Sequence, residues 1–297
     1  MQSVFDGHND TLLRLWQAGD HQGRRFIDGD GDGHIDLPRA KAGGLAGGFF
    51  AIHVPGSDVF SPDRDDGAVA DEPPIGPVDS TRARRITLEM AAILLRMCKA
   101  RPDVVRLCRT ASDIAQAEAE AAIAAIMHIE GAEAIGPDLG ELEVLYAAGL
   151  RSIGPVWSRP NIFGTGVSFR FPGDAKEGPG LTDAGKALIR ACNSMGILVD
   201  LSHMNAAGFR DIAKLSDKPL VATHSNVHSL SSSSRNLMDW QLEAIADSKG
   251  VVGLNFAVPF LRDDGRQTAN TALTVMVRHL DHLIERLGED GVALGSD

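Results

Sequence analysis

The sequence has no surplus of positive charge. Twenty-nine lysines and arginines stand against 40 aspartates and glutamates, a formal net charge of −11. That balance argues against a nucleic-acid partner, and the nearest basic run, "RARR" at 82–85, leads straight into an amphipathic helical pattern. No apolar run reaches the length of a membrane span, and the N-terminus carries neither a basic region nor an apolar core of the secretory type. The expectation is a soluble, cytoplasmic chain without a membrane partner. Cysteine is scarce. Cys98, Cys108 and Cys192 are odd in number, far apart and set among apolar neighbours, which predicts buried reduced thiols rather than a disulfide or a metal cluster. Internal repeats, low-complexity blocks and linkers are also missing. With 43% hydrophobic residues over 297 positions, the chain has material for one large core, so a single domain over 1–297 is expected.

What is present is a recurring short apolar segment. Strand candidates fall at 3–10, 47–54, 124–131, 150–158, 196–203, 219–225, 250–257 and 291–297. Helical patterns lie between most of them. From Ser80, the residues Ile86, Met90, Ile93, Leu94 and Met97 form one apolar stripe. Thr182 is placed to cap a helix that stops at Gly196, and Asp239 one that stops at Gly250, while Leu273, Val277, Leu280 and Ile284 trace a last stripe. Eight strands alternating with helices predict an α/β fold of the closed (β/α)8 TIM-barrel type. The sequence ends at the eighth strand, so a missing C-terminal segment is part of the expectation. Two long stretches, 55–79 and 158–181, follow strand ends and read either as walls over a pocket or as surface decoration.

The ends of these strands repeat one chemistry. "FDGHNDTL" at 5–12 puts His8 and Asp10 two residues apart, on one side of a strand end, which suits either the start of a metal site or a turn in which Asn9 or Asp10 caps the following helix. His128 and Glu130, His203, His224 and Asp297 sit at further strand ends. In a closed barrel such ends converge on one mouth, and that many ionisable groups are costly to bury without ligation or pairing. Imidazole and carboxylate donors without thiolates suit zinc in an open catalytic site. The set exceeds the needs of one ion and fits two metals roughly 3.5–4 Å apart sharing a carboxylate.

The motifs carry a resemblance. "DGHND" at 6–10, "GHIDLPRAKAGGLAGGFFAI" at 33–52, "HIEGAEAIG" at 128–136, "VDLSHMN" at 199–205, "ATHSNVHSL" at 222–230, "SRN" at 234–236 and "VALGSD" at 292–297 resemble, in order, the renal-type membrane dipeptidases of peptidase family M19, within the amidohydrolase-like barrels. The resemblance implies two zinc ions: one held by His8, Asp10 and Glu130, the other by Glu130, His203 and His224, with Glu130 as the bridge. It implies that Arg235 holds the free carboxylate of a dipeptide, a role that suits its forked donors, although on its own it would read as a solvated loop arginine. It implies that Asp297 moves a proton between a metal-bridging hydroxide and the leaving amine. Dipeptides with a D-residue on the carboxyl side, and a homodimer, are further expectations of the family.

One position departs from the pattern. Where the family has a histidine at the end of strand four, this chain has Trp157, which donates one indole N–H but carries no charge. That leaves room for another small amide or ester as substrate, while a chain that stopped at Asp297 would leave room for a non-catalytic metal-binding homologue. His128 reads as a partner of the site or as a packed barrel histidine. His21, His34, His53, His228, His279 and His282 fit helix or loop surfaces. "DGDGDGHID" at 28–36 resembles a calcium loop, but Arg39 stands where the bidentate glutamate belongs, so a turn-rich loop is expected.

Overall fold

Runs rich in Val, Ile, Phe and Ala, closed by polar residues, form nine short strands among the described residues, which in this computed structural model are 3–56, 76–176 and 178–297. The expected wall at 55–79 therefore falls largely outside them. The chain divides into two compact units, Met1–Val54 with Asp79–Ile153, and Pro55–Val78 with Gly154–Asp297.

In the first unit, β1 (Val4–Asn9), β2 (Leu45–His53) and β4 (Ile123–Glu130) run parallel, β1 on β2 and β2 on β4. β3 (Val105–Leu107) adds to β4. It is the one strand outside the eight expected, and three residues are too few to show alternation. β4 is buried at every position, as parallel strands covered on both faces are. β5 (Leu150–Gly154) starts at the end of this unit. The helix Ser80–Ala100 begins where Asp79 accepts the Arg82 N–H and buries Ile86, Met90, Ile93, Leu94 and Met97, the expected stripe. Each such burial is worth roughly 1.5–3 kcal/mol relative to exposure. In the acidic loop, Arg39 donates to the carbonyls of Asp32 (2.8 Å) and Gly33 (2.5 Å) and to the Asp36 carboxylate (2.9 Å). A cation anchors this turn.

In the second unit, β7 (Val221–Ala222), β8 (Val251–Asn255) and β9 (Val292–Gly295) run parallel, and β6 (Leu198–Val199) is followed by a parallel bridge from Asp200 to Val221. β8 and β9 approach β7 so closely that a Cβ on Gly253 or Gly295 would lie 1.8 or 2.0 Å from the Thr223 carbonyl oxygen. Phe209, Ile189, Leu242, Ile245, Val252, Leu254 and Leu283 are buried together in its core. The helix Asp183–Met195 starts at the Thr182 cap and stops at Gly196 (φ 69°), as read from sequence.

Two helix expectations need correction. Asp239 is the first residue of its helix rather than the cap. Met238 holds the cap position, its N–H bonded to the Gln241 side chain, and the helix ends at Asp247. In Leu273–Leu287, Leu273 and Val277 are 75% and 45% exposed, and the buried residues are His279 and Leu283. His279, expected on a surface, is buried because both ring nitrogens are satisfied: Nδ1 accepts the Val227 N–H (3.1 Å) and Nε2 donates to the Leu261 carbonyl (2.9 Å). Burial pushes its pKa down to about 4, so it is a neutral core residue.

All three cysteines are free thiols. Burial pushes Cys98 and Cys192 up to about 12 and Cys108 to about 11, which leaves them protonated and unreactive. No helix among the described residues is long and apolar enough to cross a membrane.

Candidate metal centre

The first unit gathers three of the five expected ligands. β1 ends in His8 and Asn9, and the side chain that turns the chain into the next helix is Asn9, whose Oδ1 accepts the Thr11 N–H (3.3 Å). Asp10 makes no capping bond. Its Oδ1 instead lies 3.9 Å from His8 Nε2, and Glu130 Oε1 lies 3.7 Å from the same nitrogen. His8, Asp10 and Glu130 thus offer one ligand atom each within 4.8 Å of one another. His8 and Glu130 are buried. Two carboxylates and an imidazole packed so closely without thiolates are the donor set of a divalent cation such as zinc, and the fit is good.

His53, expected on a surface, belongs to this cluster. The parallel register of β2 and β4 sets His53 opposite Glu130, and its Nδ1 lies 3.3 Å from Glu130 Oε2. The physical reason is parity. His53 is the last residue of β2, on the same level as the last residue of β4, so both side chains leave on one side. His128, two residues before Glu130, is fully buried, with Nδ1 2.8 Å from Ser152 Oγ and its ring 5.3 Å from that of His8. It is both packed and beside the cluster.

The second unit gathers the remaining histidines. His203 and His224 bring their Nε2 atoms within 3.1 Å, both side chains buried. Each Nδ1 faces a hydroxyl: Ser158 Oγ at 2.7 Å for His203 and Thr223 Oγ1 at 2.8 Å for His224. Two imidazoles held from behind with their outer nitrogens converging are a ready pair of metal ligands. His203 also has φ 67°, a left-handed conformation that costs a residue with a Cβ on the order of 1–3 kcal/mol, as functional residues often do. The 158–181 segment supports this turn: Val167 N–H donates to the His203 carbonyl (2.8 Å), and Gly166 bridges Met204. That favours the wall reading over decoration.

Arg235 is not a solvated loop residue. It is buried, with Nη2 donating to the His224 carbonyl (2.8 Å), Nη1 donating to Ser225 Oγ (3.2 Å), and the Phe260 ring centroid 5.9 Å away. Trp157 lies in the turn after β5, half-buried, its ring 5.8 Å from that of His203. Asp297 is exposed and its Oδ2 accepts from Asn255 Nδ2 (2.6 Å). Asn255 is oriented for this because its Oδ1 takes the Ala257 N–H (2.6 Å).

Sequence reasoning missed His53, Ser158, Thr223 and Asn255. The signals were present in two of them: Thr223 directly precedes His224, an expected ligand, and Asn255 ends a strand as the expected ligands do.

Comparison with known proteins bears on the whole chain. The family model for membrane dipeptidase (peptidase family M19) matches residues 1–297. A metallo peptidase from Rhodobacter sphaeroides, solved with a phosphinate mimic of the dipeptide L-Ala-D-Ala, is 51% identical with a TM-score of 0.91, over 99% of this chain and 85% of its own. An uncharacterized protein in the PQQ-III 3′ region of Acinetobacter calcoaceticus is 40% identical over 96% of this chain and 90% of its own. An amidohydrolase from Pseudomonas aeruginosa, only 20% identical over 100% of this chain and 74% of its own, has a TM-score of 0.71. That likeness shows the fold, which is the α/β (β/α)8 barrel class expected from the strand count.

Proposed function

The chain belongs to the membrane dipeptidase family, peptidase family M19, and is a metallo-dipeptidase; from that premise we propose that it uses two zinc ions to hydrolyse the amide of dipeptides, L-Xaa-D-Xaa among them. His8, Asp10 and Glu130 would hold one ion, and Glu130, His203 and His224 the other. The observation that carries this reading is the approach of three ligand atoms of His8, Asp10 and Glu130 to within 4.8 Å of one another. Zinc, when bound, acidifies water and polarises the scissile carbonyl.

The side chains supply the rest. Arg235, buried and fixed at the His224 carbonyl, receives the carboxylate of the substrate through its forked donors. Asp297, steadied by Asn255, takes a proton from the attacking water and returns it to the leaving amine. Trp157, beside His203, offers an indole N–H on the carbonyl side. The relative solved with the L-Ala-D-Ala mimic motivates the stereochemical part of the proposal. A single catalytic domain in the cytoplasm, and a homodimer, complete the reading, and size-exclusion chromatography tests the last.

A second reading has support in Trp157. A neutral donor in place of the family's histidine suits another small amide or ester. The test is a set of matched substrates: L-Ala-D-Ala, its C-terminal amide and its methyl ester. The proposal expects cleavage of the free acid, with the two capped forms slower by about 100-fold, the usual penalty for losing a buried ionic contact of 2–5 kcal/mol. Equal rates on the three would favour the second reading.

A further inference from the structure

Behind His224, on the side away from His203, lies a buried chain of hydrogen bonds that neither the ligand set nor the acid–base group uses. We propose that Thr223 and Asp200 are positioning residues that hold His224 in the tautomer whose Nε2 lone pair is turned outward to a metal ion. The proposal rests on the reading of His224 as a zinc ligand.

The direction of the chain follows from its donors. Asp200 Oδ1 accepts the N–H groups of Ser202 (3.0 Å) and Thr223 (2.9 Å), so the carboxylate is held as an acceptor. Its Oδ2 lies 2.6 Å from Thr223 Oγ1. A hydroxyl has one proton, and it points to that carboxylate oxygen. Thr223 Oγ1 is then left to accept from His224 Nδ1, 2.8 Å away, which puts the imidazole proton on Nδ1 and the lone pair on Nε2. That is the nitrogen 3.1 Å from His203 Nε2.

The arrangement is rigid as well as directed. Asp200, Thr223 and His224 are all buried. The parallel bridge from Asp200 to Val221 sets the two turns side by side, and Gly253 and Gly295 allow the neighbouring strands to close on the Thr223 carbonyl. Ser202 Oγ also accepts the His224 N–H (3.2 Å). A packed backbone fixes where the ring stands, and the hydroxyl fixes which nitrogen it presents. A carboxylate acting on a ligand histidine through a hydroxyl raises the basicity of the ligand as a direct contact does.

The two variants differ in logic. Thr223→Val keeps the shape and removes the hydroxyl. Asp200→Asn places an amide donor against Thr223 Oγ1, which turns the hydroxyl proton toward His224 and favours the tautomer with its proton on Nε2. A purely structural role would lower thermal stability without changing metal affinity.

The experiment is a zinc titration of chelator-stripped full-length protein against a competing dye, alongside the melting temperature of each variant. Wild type is expected to bind two zinc ions. Thr223→Val is expected to bind one as tightly as wild type and the other about 10- to 100-fold more weakly, with Asp200→Asn at least as impaired and Thr223→Ser restored to near wild type. Two zinc ions bound with wild-type affinity in both Thr223→Val and Asp200→Asn would overturn the proposal. His224→Ala separates the two levels of the account. If it loses one zinc while Thr223→Val keeps both, the relay alone is wrong; if it keeps both, the ligand assignment beneath it is wrong.

Discussion

His53 Nδ1 and Glu130 Oε2 stand 3.3 Å apart, across a strand register that pairs these two residues. The other oxygen of the same carboxylate faces His8. The proposed bridging ligand thus has an imidazole near each of its oxygens before any ion is considered. His53→Phe, which fills the space without the ring nitrogen, is expected to weaken zinc binding by roughly tenfold, at the lower end of the range for residues behind metal ligands. Dialysis against graded chelator, followed by metal analysis, reads the loss directly. Unchanged retention would make His53 a bystander.

Arg235 carries two demands at once, its bonds to the His224 carbonyl and Ser225 and its proposed hold on substrate. Arg235→Lys keeps a positive charge and removes the fork. The expected outcome is a KM for dipeptides raised by about tenfold or more with a smaller change in kcat, and little effect on a neutral amide. Steady-state kinetics on matched free-acid and amide substrates would show the split.

Asp297 should behave differently. It is exposed, and Asn255, a neutral donor, orients it without neutralising it. Asp297→Asn removes the proton carrier and is expected to lower kcat by about 10²–10⁴, the span of general acid–base catalysis, while zinc content stays at wild type. A kcat within a few fold of wild type would assign the proton to another group.

His279 supplies a pH dependence of stability separate from the metals. Its pKa falls from 6.5 to about 4 in the folded chain because burial disfavours the charged ring. The unfolded chain therefore binds more protons between these values, and stability falls as pH drops through that window. The contribution is complete above pH 6.5 and is lost progressively down to about 4, to a total of roughly 3 kcal/mol. Urea unfolding of chelator-stripped protein at pH 7.5 and 5 tests it. His279→Gln should flatten the difference.

The strand ends were the most readable part of the sequence. All eight expected strands form, because short apolar runs bounded by polar residues report burial directly, and the histidines and carboxylates at their ends stood out as ionisable groups next to a core. What the sequence hid was of two kinds. Hydroxyl partners such as Thr223 and Ser158 look like ordinary polar residues until the turns of different strands are set side by side. His53 and His279 were hidden by the opposite error: each sits in a pattern that reads as loop or helix surface, and only the register of β2 on β4, or the two backbone groups around the His279 ring, shows that its nitrogens are used. The stripe through Leu273 and Val277 failed for a related reason, since a satisfied histidine took the buried face from an apolar residue.

The most direct test of the account is amino-acid release from L-Ala-D-Ala and L-Ala-L-Ala by zinc-loaded and chelator-stripped protein, measured side by side. The account predicts cleavage of the L,D-dipeptide by the zinc-loaded protein, loss of that activity on stripping, and its return when zinc is added back. Full activity in the stripped protein, or none in protein carrying two zinc ions, would contradict it.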